Sequence, residues 1–366
     1  MPMRIDPWGE AISRDYARLM EEFGISSFDD LADQVPDPSH LVRRKIIFGH
    51  RDFGRVLKAI EKGNSFVTMT GLMPSGRMHL GHKLVVDQLI WYQKHGADIF
   101  LCVADLEAHT TRKLTLEQTR KIAIEEYLVN FQALGLDLRK CNLYFQSQSD
   151  AVRNLAFTLG TKINYSMLKA IYGFGGTTSA SHMFYPTIDI SDILHPQLKE
   201  FGGPRPSVIP VGVDQDPHLR LARDIAARFK DDYKFVAPSS TYHRLMWGLD
   251  GGDKMSSSKP ETAIFLTDTP KDAELKIKDA FTGGQPTASE QRELGGDPSR
   301  CVIYEMCVYH LMMDDTELLQ MREECKAGKI ICGECKKKAL DLLKKFLSDH
   351  AKKRKEAVKV VEKLLK

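Results

Sequence analysis

The chain has 366 residues, 42% of them hydrophobic and 28% charged, and a formal net charge of +3 at pH 7. These are the fractions of an ordinary soluble globular protein with room for two domains, and the charge is too small to mark a nucleic-acid binder by itself. No apolar run reaches the length a bilayer demands, and the start, Met1-Pro2-Met3-Arg4-Ile5-Asp6, contains no signal-peptide core, so a cytoplasmic protein without membrane association is expected. The seven cysteines, an odd number, argue for reduced thiols or a metal site over a disulfide framework.

Residues 1–64 read as a helical N-terminal extension, clearest over residues 16–23. The pattern then changes to an apolar, β-leaning run, Ser65-Phe66-Val67-Thr68-Met69, which leads into Thr70-Gly71 and Pro74-Ser75-Gly76-Arg77-Met78-His79-Leu80-Gly81-His82. Helical periodicity follows, with Leu80, Leu84, Val85, Leu89 and Tyr92. Strand, glycine turn and helix N-terminus in this order favour bound phosphate, because unpaired backbone N–H groups and the helix dipole attract an anion. Gly71 and Gly81 lack a Cβ and let a flat base or a phosphate approach the backbone. His79 and His82, three apart, can both reach one phosphate and supply donors where charge builds up as pyrophosphate leaves.

Further along come an apolar run at 99–104, a capping box at Thr115-Leu116-Glu117-Gln118, a β-like stretch at 142–145, and another at 208–212 before a helix at 219–229. The alternation predicts an α/β fold, a doubly wound parallel-sheet (Rossmann-like) catalytic domain over residues 65–263. Ligands of such sheets sit at the carboxyl ends of strands, where Met69-Thr70-Gly71 and Gly212-Val213-Asp214-Gln215 fall. Lys254-Met255-Ser256-Ser257-Ser258, flanked by Gly251, Gly252 and Pro260, reads as a mobile loop. Its lysine would meet the departing pyrophosphate, and its hydroxyls and N–H groups would hold the oxygens. Each motif alone is weak, but the pair in this order points to activation of a carboxylic acid by ATP.

Beyond about residue 261 the pattern is mostly helical, best at 301–313, 316–325 and 334–365, which predicts a C-terminal helical domain over 264–366. From Lys336 to Lys366 there are 12 Lys and Arg against 4 Asp and Glu, set among apolar residues at helical spacing, a candidate RNA-contacting face. Cys325, Cys332 and Cys335 have the spacing C-x6-C-x2-C, and Cys301 lies upstream. Four thiolates can complete a zinc site or hold a [4Fe–4S] cluster. Cys307, within an apolar helical run, is a competing fourth ligand and reads better as a packed thiol.

The two motifs resemble those of class I aminoacyl-tRNA synthetases, and the chain as a whole is similar to the tryptophanyl-tRNA synthetases of the archaeal and eukaryotic type. The similarity runs through Asp6-Pro7-Trp8, Asp15-Tyr16, Arg43-Arg44 to Gly49-His50-Arg51-Asp52, Tyr172-Gly173-Phe174-Gly175, Tyr185-Pro186, Asp214-Gln215-Asp216-Pro217 and Ile264-Phe265-Leu266-Thr267-Asp268-Thr269. It implies that L-tryptophan and Mg2+-ATP give tryptophanyl-adenylate, that the product passes to the 3′ end of tRNA(Trp), and that the protein is a homodimer whose helical C-terminal domain binds the anticodon. Thr70, Gly71, Pro74, Ser75, His79, Gly81, His82 and Lys254 through Ser258 would hold the nucleotide, and Glu107, Asp189 and Gln215 the ammonium. No room exists between His82 and Asp189 for the editing insertion of related synthetases, and a tryptophan pocket needs none. Similar cysteine spacing in some bacterial members suggests a [4Fe–4S] cluster, with Zn2+ as the alternative.

The pocket departs from the family pattern. Asp189 replaces the glutamine of eukaryotic relatives, and Met69 and Cys102 stand where those relatives bind the indole nitrogen with tyrosine and glutamine. Asp192 lies where archaeal tyrosyl-tRNA synthetases hold an aspartate that reads the phenol, and here it is expected to accept the indole N–H. Tyrosine is therefore the alternative substrate; Met69, the Asp214-Gln215-Asp216-Pro217 block and the N-terminal extension favour tryptophan. Small-molecule nucleotidylyltransferases share H-x-G-H but need no basic helical domain, and a non-catalytic RNA-binding relative would have no use for both histidines and Lys254.

Overall fold

A computed structural model describes residues 15–365, so the Asp6-Pro7-Trp8 block lies outside the described residues. Strands β1 (Ser26–Ser27), β2 (Ile47–Arg51), β3 (Val67–Leu72), β4 (Asp98–Val103), β5 (Cys141–Phe145), β6 (Ser207–Gly212) and β7 (Ser239–His243) form one sheet of order β1-β2-β7-β6-β3-β4-β5. Five of them, from β7 to β5, run parallel. The apolar residues of the inner strands β3, β4 and β6 are largely buried on both faces, as a helix-covered parallel sheet requires. The chain winds outward from β3 through β4 and β5, then returns to the other side of β3 for β6 and β7. A crevice opens where the winding reverses, at the carboxyl ends of β3 and β6.

The doubly wound expectation describes these five strands, and two features extend it. Residues 26–51, expected to be helical, supply β2, which pairs antiparallel with β7, and β1, which pairs antiparallel with β2 at the sheet edge. That pairing is decided by tertiary contact, which outweighs the weak local signal of so short a segment. β7 itself, Ser-Ser-Thr-Tyr-His, has no apolar run to betray it, yet all five residues are buried. Its polar groups find partners inside: Tyr242 Oη donates to Asp216, and His243 Nδ1 lies 3.1 Å from Gln88 Nε2.

The helical C-terminal residues share their core with the sheet. One buried cluster takes in Phe28, Leu84, Leu101, Phe131, Leu343 and Val361. The long helix Cys332–Leu364 lies against the short helix Val129–Leu134, and buried Asn130 accepts hydrogen bonds from its His350 (2.8 Å) and Arg354 (2.5 Å). The expected helix at 301–313 is divided into Val302–Met306 and a π turn, Cys307–Leu311. A second π turn, Ala123–Leu128, follows the capping-box helix Leu116–Ile122. No helix among the described residues is long and apolar enough to cross a membrane.

Candidate active site

β3 ends at Gly71-Leu72, and the chain turns through residues 73–78 into the helix Leu80–Lys94, with His79 as its N-cap. The two histidines cap this turn together. His79 Nδ1 accepts the Gly81 N–H at 3.1 Å, and His82 Nδ1 accepts the His79 N–H at 3.2 Å. Burial pushes His79 well below the usual histidine range and His82 down to about 4, so both rings are neutral. A neutral ring whose Nδ1 accepts must carry its proton on Nε2. The ring centroids are 3.9 Å apart, and both rings line one cavity, so two neutral Nε2–H donors serve the same space.

The glycines divide their work in an unexpected way. A Cβ on Gly81 would sit 2.9 Å from His79 Cε1, so this glycine makes room for the histidine ring rather than for a ligand. A Cβ on Gly71 would meet nothing within 4 Å, and Gly71 opens directly onto the cavity. Pro74 is buried beside the turn and is not among the lining residues, whereas Thr70 and Ser75 are.

The 254–258 loop lies across the cavity from the histidines. Met255 is buried, its N–H donates to Met246 O at 2.8 Å, and its side chain approaches Gly81, which pins the loop near the histidine turn. Ser257 Oγ donates to Arg77 O at 2.8 Å, and Ser256 and Ser258 pair through their hydroxyls at 2.9 Å. Lys254 Nζ is held by Asp214 Oδ2 at 2.8 Å. Among the described residues lining the cavity, the only other Lys or Arg is Arg112, at the end of the helix Asp105–Arg112.

Met69, Glu107, Asp189, Asp192 and Gln215 line the same cavity, which measures about 1920 Å³ with its open mouth included. Cys102 is fully buried behind it and is not a lining residue. The carboxylates come from helices: Glu107 from Asp105–Arg112, and Asp189 and Asp192, one turn apart, from the interior of Ala180–Leu194. Asp189 lies 3.0 Å from His218 Nδ1, and burial pushes Asp189 up to about 7 and His218 down to about 4. Asp192 Oδ1 accepts from Tyr144 Oη at 2.8 Å and Oδ2 from Gln146 Nε2 at 2.5 Å; burial, opposed by these donors, pushes its carboxyl up to about 8.

An open sheet with phosphate donors at the switch point and a carboxylate-lined pocket beside them narrows the family, and direct comparison decides it. Residues 61–348 match the family model described as tRNA synthetases class I (W and Y). The chain is 48% identical to the tryptophan–tRNA ligase of Methanocaldococcus jannaschii over 365 residues, covering 99% of this chain and 98% of the relative. The chain belongs to the class I tryptophanyl-tRNA synthetases. Its fold superposes on the tryptophanyl-tRNA synthetase of Aeropyrum pernix with a TM-score of 0.91 at 45% identity, covering 98% of each chain. It also superposes on the Encephalitozoon cuniculi enzyme, which was crystallised with tryptophan, with a TM-score of 0.81 at 25% identity, covering 94% of this chain and 96% of that one.

In this synthetase Cys301, Cys325, Cys332 and Cys335 line one small pocket of about 360 Å³ with its open mouth included. Gly284 lines it too, and a Cβ there would fall 2.2 Å from Cys332 Sγ; one on Gly296, outside the lining, would fall 2.9 Å from Cys325 Sγ. Cys307 is buried in the core and does not line the pocket, which removes it as a fourth ligand. Among the described residues no group of three or more His, Cys, Asp or Glu could hold a metal ion.

Several lining residues escaped the sequence reading. Gln146 sits just past the end of β5, and His218 opens the helix Asp216–Arg228. Position after a strand was the available signal for Gln146; Asp214, just past β6, lies in the expected ligand-binding run, but its pairing with Lys254 was not foreseen. Tyr127, in the π turn, packs its ring edge-on to His82 at 5.6 Å and carried no signal at all.

Proposed function

We propose that this synthetase activates L-tryptophan with Mg2+-ATP to tryptophanyl-adenylate and pyrophosphate, and then transfers tryptophan to the terminal adenosine of tRNA(Trp). The observation that carries the reading is the pair of neutral Nε2–H donors from His79 and His82 in one cavity with buried carboxylates. The substrate carboxylate attacks the α-phosphorus, the α–β bridging bond breaks, and the negative charge that develops there meets both imidazoles. Lys254 leaves Asp214 to follow the departing pyrophosphate. Glu107, Asp189 and Gln215 take the ammonium, and in the second step a tRNA hydroxyl attacks the activated carbonyl and expels AMP. Catalysis is mainly positioning and electrostatics.

Exchange of labelled pyrophosphate into ATP, without tRNA and with each of the twenty amino acids in turn, tests this. Tryptophan-dependent exchange is expected. Exchange with tyrosine alone would replace the substrate and keep the chemistry; exchange with neither would remove both.

The basic residues of the helix Cys332–Leu364 are the proposed tRNA contact, in a cytoplasmic homodimer. For the four cysteines we propose a [4Fe–4S] cluster, with Zn2+ as the alternative. Support comes from the shared pocket and from Gly284, which leaves space beside Cys332. A bound cluster would supply structural bracing, and these cysteines would tie the start of the long helix to the helix Asp315–Lys326. Protein purified without oxygen is expected to be brown with about four iron per chain, and Cys332→Ser to lose colour and melt several degrees lower. Colourless, iron-free wild type would exclude the cluster.

A further inference from the structure

Gln146 stands just beyond the carboxyl end of β5, is almost wholly buried, and lines the substrate cavity. Its amide nitrogen is committed: Nε2 donates to Asp192 Oδ2 at 2.5 Å and to Tyr185 Oη at 3.3 Å. Its carbonyl oxygen Oε1 has no hydrogen-bond partner among the described residues. An unpaired acceptor in such a place costs about 1–3 kcal/mol, so it marks a group that a ligand completes. Asp192 has both oxygens engaged already. Whether its carboxyl is ionised or holds a proton on Oδ1 against Tyr144 Oη, Oδ2 stays an acceptor, and the amide of Gln146 keeps Oε1 free.

We infer that Gln146 Oε1 is the acceptor that reads the indole N–H, and that Asp192 is the residue that holds the Gln146 amide in this orientation. The inference rests on tryptophan being the substrate. It reassigns the role expected of Asp192 and explains how the pocket works with Met69 and Cys102 at positions that offer no strong acceptor. An indole has one polar hydrogen and no acceptor, and it satisfies a lone carbonyl oxygen without stranding a group of its own. A tyrosine hydroxyl could donate to Oε1, but its own lone pairs would find the amide N–H groups turned away.

The test compares L-tryptophan with β-(benzothiophen-3-yl)-L-alanine, in which sulfur replaces the N–H with little change of shape, using kcat/KM of pyrophosphate exchange. Wild type is expected to prefer tryptophan by about tenfold or more, and Gln146→Met, similar in length and without a strong acceptor, to bring the ratio within about threefold by losing tryptophan activity. Gln146→Leu gives the same readout should the methionine variant not fold. Equal use of both compounds by wild type, or an undiminished preference in the variants, would overturn the assignment. Wild-type exchange with tyrosine and not tryptophan would instead remove the reading on which it rests, before any variant is made.

Discussion

Lys254→Ala is expected to slow adenylate formation by about 10²- to 10³-fold while the affinity for tryptophan changes by less than about threefold. Lys254 and Arg112 are the only Lys or Arg side chains lining the cavity among the described residues, and Lys254 sits on the loop facing the histidine turn. Asp214 restrains it 2.8 Å away, so the ammonium reaches the phosphates only by exchanging one anion for another. An interaction of that kind is strongest when pyrophosphate charge is fully developed, which is why its loss falls on the rate. Single-turnover adenylation beside equilibrium binding of tryptophan separates the two. Equal losses in both would show that Lys254 acts on the pocket's shape instead.

The second large effect concerns the histidine turn. His82→Ala is expected to lower exchange about 10²-fold, with His82→Gln recovering part of it because an amide N–H can still donate. The ring is neutral in the fold, near 4 against an ordinary 6.5, so the sign of its pH dependence is set. An unfolded chain takes up this proton below 6.5 and the folded one only near 4. The contribution to stability, on the order of 3 kcal/mol, is therefore whole above 6.5 and lost as pH falls from 6.5 to 4. Chemical-denaturant titrations at pH 7 and pH 5 should show the wild type losing more stability on acidification than His82→Gln. An identical loss in the two would mean that His82 is not held neutral.

Contiguous features of the sequence were the legible ones. The strand–turn–helix run into His79 and His82 could be placed because each step is written in adjacent residues, and the structure brings both rings into one cavity with Lys254, 172 positions after His82. β7 was hidden because its side chains are polar and their partners, Asp216, Gln88 and Tyr92, come from distant segments. The helix that carries Asp189 and Asp192 gave no clear signal, since with Pro186 and two buried carboxylates it breaks the local rules. Gln146 escaped for a related reason. Nothing in a lone glutamine says that its nitrogen will be occupied and its oxygen left unpaired.

The hydrophobic cluster that joins Phe28, Leu101 and Leu343 bears on how this protein can change over generations. A module hung on a tether can be traded for another without disturbing its neighbour. Here the basic helix forms a wall of the room in which the sheet is folded, and His350 and Arg354 bond to an asparagine one short step from the π turn that backs His82. Drift on its inward face is constrained by the chemistry at the other end of the molecule. Its lysines, the proposed tRNA contacts, are no part of that shared core and escape this constraint.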